Sequence, residues 1–292
     1  MVIDLTEMKS GFCDRLRLIT YVVALSNIKN KKKRSLEILE NQSKECPYLF
    51  SKHCKIKNFK LKRIKKISKN KISIKMNPYN SFPNEKNIKS LEYSKKIDSI
   101  NFLSKWIAAY KLIEPKDKIK KKIRKLGLPK NYLGIHVRAT DKMVSIWTKI
   151  TEIPSKTTIL KSQLNKFINH LDKIIQEQSY CKNIFLACDD QNLKIKLIKN
   201  LKHKNYSVYF NKTKFYKKRF RQTNAEDFLV DLFCLSNSKK IISSTGGGVP
   251  LTSSYISKNK IEVFNYVNKL NIYYIFNLIS FFVQFIREIR KK

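Results

Sequence analysis

The sequence is short of acidic residues, of glycine and of closely spaced cysteines. Its 292 residues include 22 Asp and Glu against 62 Lys and Arg, which gives a formal net charge of +40. Such a balance favours anionic partners, namely nucleic acid, acidic lipid or phosphate-bearing substrates. A lysine-rich compositional bias spread over solvated faces is the competing explanation. The six glycines form neither a P-loop nor a GxGxxG fingerprint, so those two nucleotide-binding motifs are excluded.

None of the six cysteines forms a CxxC pair, and the group Cys46, His53 and Cys54 lacks a fourth ligand. This spacing fits no zinc module, so the sequence predicts no metal site. Reduced cysteines and a cytoplasmic location are expected. The first apolar run, Leu18 to Leu25, is too short for a signal peptide and precedes no cleavage-type site.

The densest basic block runs from Lys55 to Lys75 and contains ten basic residues and no acid. Single-stranded nucleic acid sites usually interleave aromatic side chains for base stacking, and Phe59 is the one aromatic residue in the block. Nucleic acid is therefore not expected as a partner, and a basic nucleic-acid-binding protein is kept as the alternative.

The segment 263–292 is predicted to be a C-terminal apolar and basic helix. From Leu270 to Ile286 it is almost wholly apolar, and its polar side chains fall on one narrow helical stripe. Such a helix docks on the core of its own protein or lies in an anionic membrane surface, so residues 270–292 predict peripheral membrane contact as one of two alternatives.

The second half of the chain, residues 126–262, alternates between strand and helix patterns. Strands are predicted at 132–137, 183–188, 206–210 and 240–243, and helices at 156–178, 190–203, 225–237 and after the loop 244–248. This alternation predicts an α/β fold with a parallel, doubly wound sheet whose ligands bind beyond the carboxyl ends of the strands. Residues 1–125 are less regular, with helices predicted at 14–27 and 100–112.

Four segments carry candidate chemistry. In the first, alternation places His136 and Arg138 on one face of a strand, with Asp141 and Lys142 just beyond its end. An arginine there can hold a phosphate through two parallel hydrogen bonds. The second segment is Cys188-Asp189-Asp190 after an apolar strand, where Asp190 either contacts a ligand or caps the next helix.

The third segment, Ser243 to Pro250, places three of the six glycines between a strand and a helix. Its backbone N–H groups and the hydroxyls of Ser244 and Thr245 suit a phosphate at a helix N-terminus, and Gly246 allows close approach. A tight turn is the alternative. In the fourth segment, Gly11 leads into a helix that carries Arg15 and Arg17.

Together these segments resemble the superfamily of α-1,6-fucosyltransferases and protein O-fucosyltransferases, which includes nodulation fucosyltransferases. Residues 136–142, His-Val-Arg-Ala-Thr-Asp-Lys, look like its HxRRTDK motif. Residues 185–190 and 227–244 are similar to its second and third motifs, and residues 11–17 resemble the turn that begins its catalytic domain. Order and spacing hold over roughly residues 5–255.

The resemblance implies a GT-B-like architecture: an acceptor-side Rossmann-like domain (1–125), a donor-binding Rossmann-like domain (126–262), and a cleft between them. It also implies inverting, metal-independent transfer of fucose from GDP-fucose to a glycan acceptor, without a cofactor. Arg138, Asp141 and Lys142 would be catalytic. The implied donor-binding residues are His136, Arg138, Asp190, Asp231, Ser244, Thr245, Gly246, Gly11 and Arg15.

The sequence departs from the family pattern at two places. Ala139 stands where the family has a second arginine, and no glutamate follows Lys142 within a few residues. The general base is therefore unassigned. A transferase that uses another GDP-sugar, and a homologue that binds GDP with weakened or no catalysis, are the alternatives.

Overall fold

The computed structural model describes residues 2–6, 11–29, 34–41, 49–66, 73–74, 99–139, 143–144, 159–179, 181–213 and 223–266. These residues divide into two compact units. Unit 1 contains the described residues within 1–125, 224–236 and 252–260, and unit 2 those within 126–223, 237–251 and 261–266.

The elements of the first half are β1 (Val2–Asp4), α1 (Phe12–Lys29), β2 (Arg34–Leu39), α2 (Phe50–His53), β3 (Cys54–Ile56), β4 (Phe59–Ile64), β5 (Ser73–Ile74), α3 (Ser99–Tyr110), β6 (Ile113–Pro115) and α4 (Asp117–Arg124). Those of the second half are β7 (Leu133–Val137), β8 (Met143–Val144), β9 (Ile159–Leu160), α5 (Lys161–Gln178), β10 (Asn183–Cys188), α6 (Gln191–His203), β11 (Ser207–Tyr209), α7 (Ala225–Leu235), β12 (Lys240–Ser243), α8 (Gly248–Ile256) and β13 (Glu262–Asn265).

Unit 2 is built on a parallel sheet of five strands in the order β11-β10-β7-β12-β13. Its three central strands, β10, β7 and β12, are mainly apolar and buried, and all five residues of β7 are buried, as expected for a sheet covered on both faces. The core packs Ile135 and Leu186 of the sheet against Phe167 of α5 and Leu197 of α6. The predicted α/β class with a parallel sheet is confirmed, and β10 and β12 have the predicted bounds.

Unit 1 contains a second parallel sheet, in the order β4-β2-β1-β5, beside an antiparallel pair of β3 and β6. Helix α1 packs against α3 through an aromatic cluster in which the Tyr21 and Trp106 rings lie 5.3 Å apart. The Trp106 indole N–H donates to Thr20 Oγ1 at 3.1 Å, so this buried polar group is paired within the core.

The division into units differs from the predicted domains in two segments. Residues 224–236, which contain α7, and residues 252–260 belong to unit 1 although they follow residue 126. Within unit 1, α7 packs on α4, and Lys122 Nζ lies 2.9 Å from Glu226 and 3.3 Å from Asp227. The predicted cleft between two domains stays a prediction.

The predicted C-terminal helix is corrected at its start. Residues 263–265 belong to strand β13, which pairs in parallel with β12 and extends the unit 2 sheet. The remainder, 267–292, lies outside the described residues, as do residues 67–72 and Lys75 of the basic block. In the part of the chain that is described, no helix combines the length and the apolar character needed to cross a membrane.

Candidate functional site

The strand order of unit 2 reverses beside β7. Chain order runs outward from β7 to β10 and β11 on one side, and continues with β12 and β13 on the other. In open α/β sheets, ligands bind outside the carboxyl ends of the strands at such a reversal. The segments that follow β7 and β12 therefore occupy the position in this unit where a ligand is expected.

His136 lies near the end of β7 and is 6% exposed. Its Nδ1 is 3.2 Å from Ser243 Oγ, at the end of the neighbouring strand β12. Burial, together with the positive charge of Arg138, lowers the pKa of His136 to about 3. The imidazole is therefore neutral at physiological pH and offers one donor and one acceptor nitrogen.

The turn after β12 is held by its own hydroxyls. Ser243 Oγ donates to the Thr245 carbonyl at 2.5 Å, and Ser244 N–H donates to the His136 carbonyl at 3.0 Å. Ser244 Oγ accepts the Arg138 N–H at 3.0 Å. The predicted residues His136, Arg138 and Ser244 are thus joined by hydrogen bonds at the carboxyl ends of β7 and β12.

Thr245 is 1% exposed, and its Oγ1 has no hydrogen-bond partner in the part of the chain that the structure describes. A Cβ placed on Gly247 would lie 3.3 Å from this oxygen. Because Gly247 has no side chain, the space beside Thr245 Oγ1 is not filled by this residue. Helix α8 begins at Gly248, directly after the loop that contains Gly246, so N-terminal backbone amides follow the hydroxyls.

Arg138 follows β7, and Asp189 follows the neighbouring strand β10. Asp189 Oδ2 lies 3.6 Å from Arg138 Nε, and Asp189 Oδ1 accepts the Ala139 N–H at 2.7 Å. The side chains of Arg138 and Asp189 are 17% and 22% exposed, respectively. A partly buried guanidinium in a fixed orientation is suited to bind a phosphate.

Asp190, predicted to help bind the donor, caps a helix, and its donor-binding role stays a prediction. Its side chain accepts the Leu193 N–H at 2.7 Å and caps the N-terminus of α6. This is the alternative that the sequence left open, and it satisfies one of the amides that a helix start leaves unpaired. The residue that meets the motif arginine is its neighbour, Asp189.

The predicted residues at the chain start lie in unit 1. The Gly11 carbonyl accepts the Arg15 N–H at 3.2 Å, and the Gly11 N–H donates to Asp14 at 3.1 Å. Arg15 is 1% exposed, and its Nη1 donates to the Asn41 carbonyl at 2.8 Å. Both residues thus have contacts within unit 1, and their donor-binding role stays a prediction.

The remaining predicted residues are Asp231, Asp141 and Lys142. Asp231 is buried on α7, in unit 1, whereas His136 is in unit 2, so a shared guanosine site for them stays a prediction. Asp141 and Lys142 lie outside the described residues. In the described ranges, no three His, Cys, Asp or Glu side chains form a group that could hold a metal ion.

Sequence reasoning missed the roles of Asp189 and Ser243. The pairing of Cys188 with Val137 places the next residues of the two strands, Asp189 and Arg138, side by side. Ser243 pairs with His136 across β12 and β7. Both contacts could have been predicted by assuming that strands β10, β7 and β12 end level with one another, because the ends of all three strands are recognisable in the sequence.

The chain is similar to known proteins in its fold and not detectably in its sequence. No family model and no curated protein matches it, whereas solved structures do. The NodZ α-1,6-fucosyltransferase co-crystallised with GDP matches at 12% identity with a TM-score of 0.50, over 88% of this chain and 92% of NodZ. The fold is similar to that of NodZ.

Two other matches are weaker. NodZ from Bradyrhizobium matches at 12% identity with a TM-score of 0.47, over 88% of this chain and 93% of that one. POFUT1 in complex with GDP-fucose matches at 10% identity with a TM-score of 0.37. That match covers 55% of this chain and spans about half of POFUT1, at 49%.

Proposed function

We propose that this protein is a glycosyltransferase that transfers fucose from GDP-fucose to a hydroxyl of a glycan acceptor. The observation that carries the proposal is the convergence of Arg138, Ser244 and the Gly246–Gly248 loop at the carboxyl ends of β7 and β12. This is the position for a ligand in a sheet of this order, and its chemistry suits a diphosphate. The similarity of the fold to NodZ, crystallised with GDP, supports the choice of donor.

The diphosphate is proposed to bind between the arginine and the hydroxyl loop. Backbone N–H groups at the start of α8 and the Ser244 and Thr245 hydroxyls would donate to its oxygens. Thr245 Oγ1 is buried and has no hydrogen-bond partner among the described residues, which supports this assignment. A buried hydroxyl without a partner is costly unless a ligand supplies one.

Arg138 is proposed to stabilise the leaving group. During transfer, the bond between the fucose anomeric carbon and the β-phosphate oxygen breaks, and GDP leaves with the electron pair. The acceptor oxygen bonds to the anomeric carbon and loses its proton to a base that is not assigned. A guanidinium near the β-phosphate would stabilise the charge that develops there.

Inversion at the anomeric carbon and independence from metal ions are part of the proposal. Neutral His136 is a proposed guanosine ligand. Asp231 keeps its proposed guanosine contact through the resemblance of residues 227–244 to the family's third motif, since guanine offers two parallel N–H donors to a carboxylate. Asp141 and Lys142 keep their proposed catalytic roles through the resemblance of residues 136–142 to the family motif.

A GDP-binding homologue with weakened catalysis is the second candidate. Ala139 favours it, because this position is 6% exposed, packs in the unit 2 core and carries no charge. An arginine side chain would not fit there without displacing the core. The chain thus has one fewer cation near the leaving group than the family motif provides.

The experiment that tests the proposal is calorimetric titration with GDP, UDP, ADP and a short oligonucleotide, with EDTA present throughout. Selective GDP binding, followed by release of GDP from GDP-fucose in the presence of glycan acceptors, is the expected result. GDP binding without transfer from any GDP-sugar would favour the weakened homologue. Binding of the oligonucleotide alone would overturn the proposal in favour of a nucleic-acid-binding protein.

A further inference from the structure

The end of β7 is held from both sides by side chains of its neighbouring strands. On one side Ser244 Oγ accepts the Arg138 N–H at 3.0 Å. On the other, Asp189 Oδ1 accepts the Ala139 N–H at 2.7 Å. Two successive backbone amides at the end of the strand are therefore fixed by groups that come from separate strands.

Asp189 also reaches the side chain of Arg138. Its second oxygen, Oδ2, lies 3.6 Å from Nε, and both side chains are partly buried. One carboxylate thus contacts the main chain after Arg138 and the guanidinium itself. Partial burial strengthens the attraction between the two charges, so the carboxylate favours this orientation of the arginine.

From this geometry we infer that Asp189 is the positioning residue of the transferase, which holds Arg138 in the orientation that the leaving diphosphate requires. The inference rests on the proposed function. Asp189 acts through Arg138 and is not itself proposed to touch the donor. A group that orients a side chain in direct contact with the substrate often matters as much to turnover as that side chain does.

The direction of the change in GDP affinity distinguishes a positioning role of Asp189 from a role in binding the ligand. The carboxylate is an anion beside the proposed site of an anionic diphosphate, so its charge opposes GDP binding. Removing that charge should leave GDP affinity unchanged or tighter, whereas it should slow transfer because Arg138 loses its fixed orientation. A purely structural aspartate would weaken binding, turnover and folding stability together.

The chain offers a matched pair of variants. Asp189→Asn keeps the shape and an acceptor for the Ala139 N–H, but loses the charge that faces Arg138. Asp172→Asn on α5 is the control. Asp172 accepts the Tyr206 hydroxyl at 2.8 Å and lies 3.8 Å from Lys204 Nζ, so the same change removes a charge that faces a cation elsewhere in unit 2. We expect Asp189→Asn to lower kcat on the order of 10- to 100-fold, with a Kd for GDP equal to or below that of the wild type. Asp172→Asn should change neither by more than about twofold.

A double variant tests whether Asp189 acts through the arginine. In an Arg138→Ala background, Asp189→Asn should cause no further loss of kcat, because its target is gone. Additive losses would overturn the inference. So would wild-type kcat in Asp189→Asn, or an equal loss in Asp172→Asn.

A readout independent of turnover separates this inference from the proposed function. If the wild type neither binds GDP nor transfers fucose, the proposed function fails. The contact itself is then tested by NMR hydrogen exchange of the Arg138 Nε–H. Exchange should accelerate in Asp189→Asn and stay at the wild-type rate in Asp172→Asn, and an unchanged rate in both would show that Asp189 does not hold Arg138.

Discussion

The two units use arginine differently beside their parallel sheets. In unit 2, Arg138 follows a strand, keeps 17% of its side chain exposed and faces a carboxylate at 3.6 Å. In unit 1, Arg15 lies in the first turn of α1, is 1% exposed and donates to the Asn41 carbonyl. Both arginines resemble family motif residues, but their surroundings predict different roles.

The difference teaches that exposure is a criterion for predicting whether an arginine contributes mainly to the fold or is available to a ligand. Arg138 is accessible in part and is oriented by a partner that leaves it charged. Arg15 is enclosed, and its guanidinium satisfies a main-chain carbonyl. Each of the following experiments compares a residue of one unit with its counterpart in the other.

The largest effect is expected for Arg138→Ala. Transfer should fall about 10³-fold, because one oriented donor to a developing anion is worth that much in a site of low polarity. Unfolding stability should change little, since the side chain is partly exposed. Rates of GDP release and urea unfolding curves measure the two quantities, and a fully active Arg138→Ala variant would refute the assignment.

Arg15→Ala should have the opposite profile. Loss of the buried contact with Asn41 is expected to lower the free energy of unfolding by about 2 to 3 kcal/mol. GDP affinity of the fraction that remains folded should stay near the wild-type value. Urea unfolding and calorimetry measure both. A stable Arg15→Ala protein that no longer binds GDP would show instead that Arg15 is a donor ligand, as the motif resemblance implies.

Histidine gives a pH-dependent comparison. His136 has a pKa near 3 in the folded protein, below the ordinary value of 6.5, because burial disfavours its charged form. Between these two values the unfolded chain binds a proton that the folded protein does not, so stability is lost as pH falls below about 6.5. His136 should contribute roughly 1 to 2 kcal/mol to the stability lost between pH 7 and pH 5.

The matched residue in unit 1 is His53. Burial lowers its pKa as well, but the nearby Glu226 carboxylate opposes that shift. Unfolding of His136→Gln and His53→Gln variants at pH 5 and 7 measures the two contributions. The pH dependence should weaken more in His136→Gln. An equal change in both variants would contradict the expected contrast.

The smallest effect is expected for a pair of buried threonines. Thr20 Oγ1 of unit 1 is paired with Trp106 and with the Leu16 carbonyl, whereas Thr245 Oγ1 of unit 2 lacks a partner within the described ranges. Thr245→Val should therefore raise unfolding stability by up to about 1 kcal/mol and weaken GDP binding, while Thr20→Val should lower stability by a similar amount.

Thermal unfolding with and without GDP distinguishes the two threonine variants. The gain in Tm that GDP gives should shrink for Thr245→Val and persist for Thr20→Val. If Thr245→Val binds GDP as the wild type does, its hydroxyl takes no part in the proposed diphosphate site.

The sequence predicted the elements of unit 2 better than those of unit 1. Strands β7, β10 and β12 are short apolar runs between turn residues, and such runs are characteristic of strands buried on both faces. In unit 1, β1 has three residues and β4 alternates lysines with half-buried apolar residues inside a basic block. Local pattern gives little signal for such strands, whose pairing with β2 defines them.

The candidate site was predicted in part. The positions of His136, Arg138 and Ser244 after strands followed from the sequence, because carboxyl ends of parallel strands meet at one edge. The sequence did not show which of the two adjacent aspartates faces Arg138. Asp189 and Asp190 are chemically identical, and the register of β10 on β7 assigns one to Arg138 while the start of α6 takes the other as its cap.

By itself, the sequence determined the α/β class, the order of the elements in residues 126–262 and the motif segments, since these depend on local patterns of apolar and turn residues. The tertiary structure alone decided that Asp189 meets Arg138, that Arg15 is enclosed and that α7 belongs to unit 1. Those outcomes depend on strand register and burial between segments far apart in the chain. No local pattern encodes them.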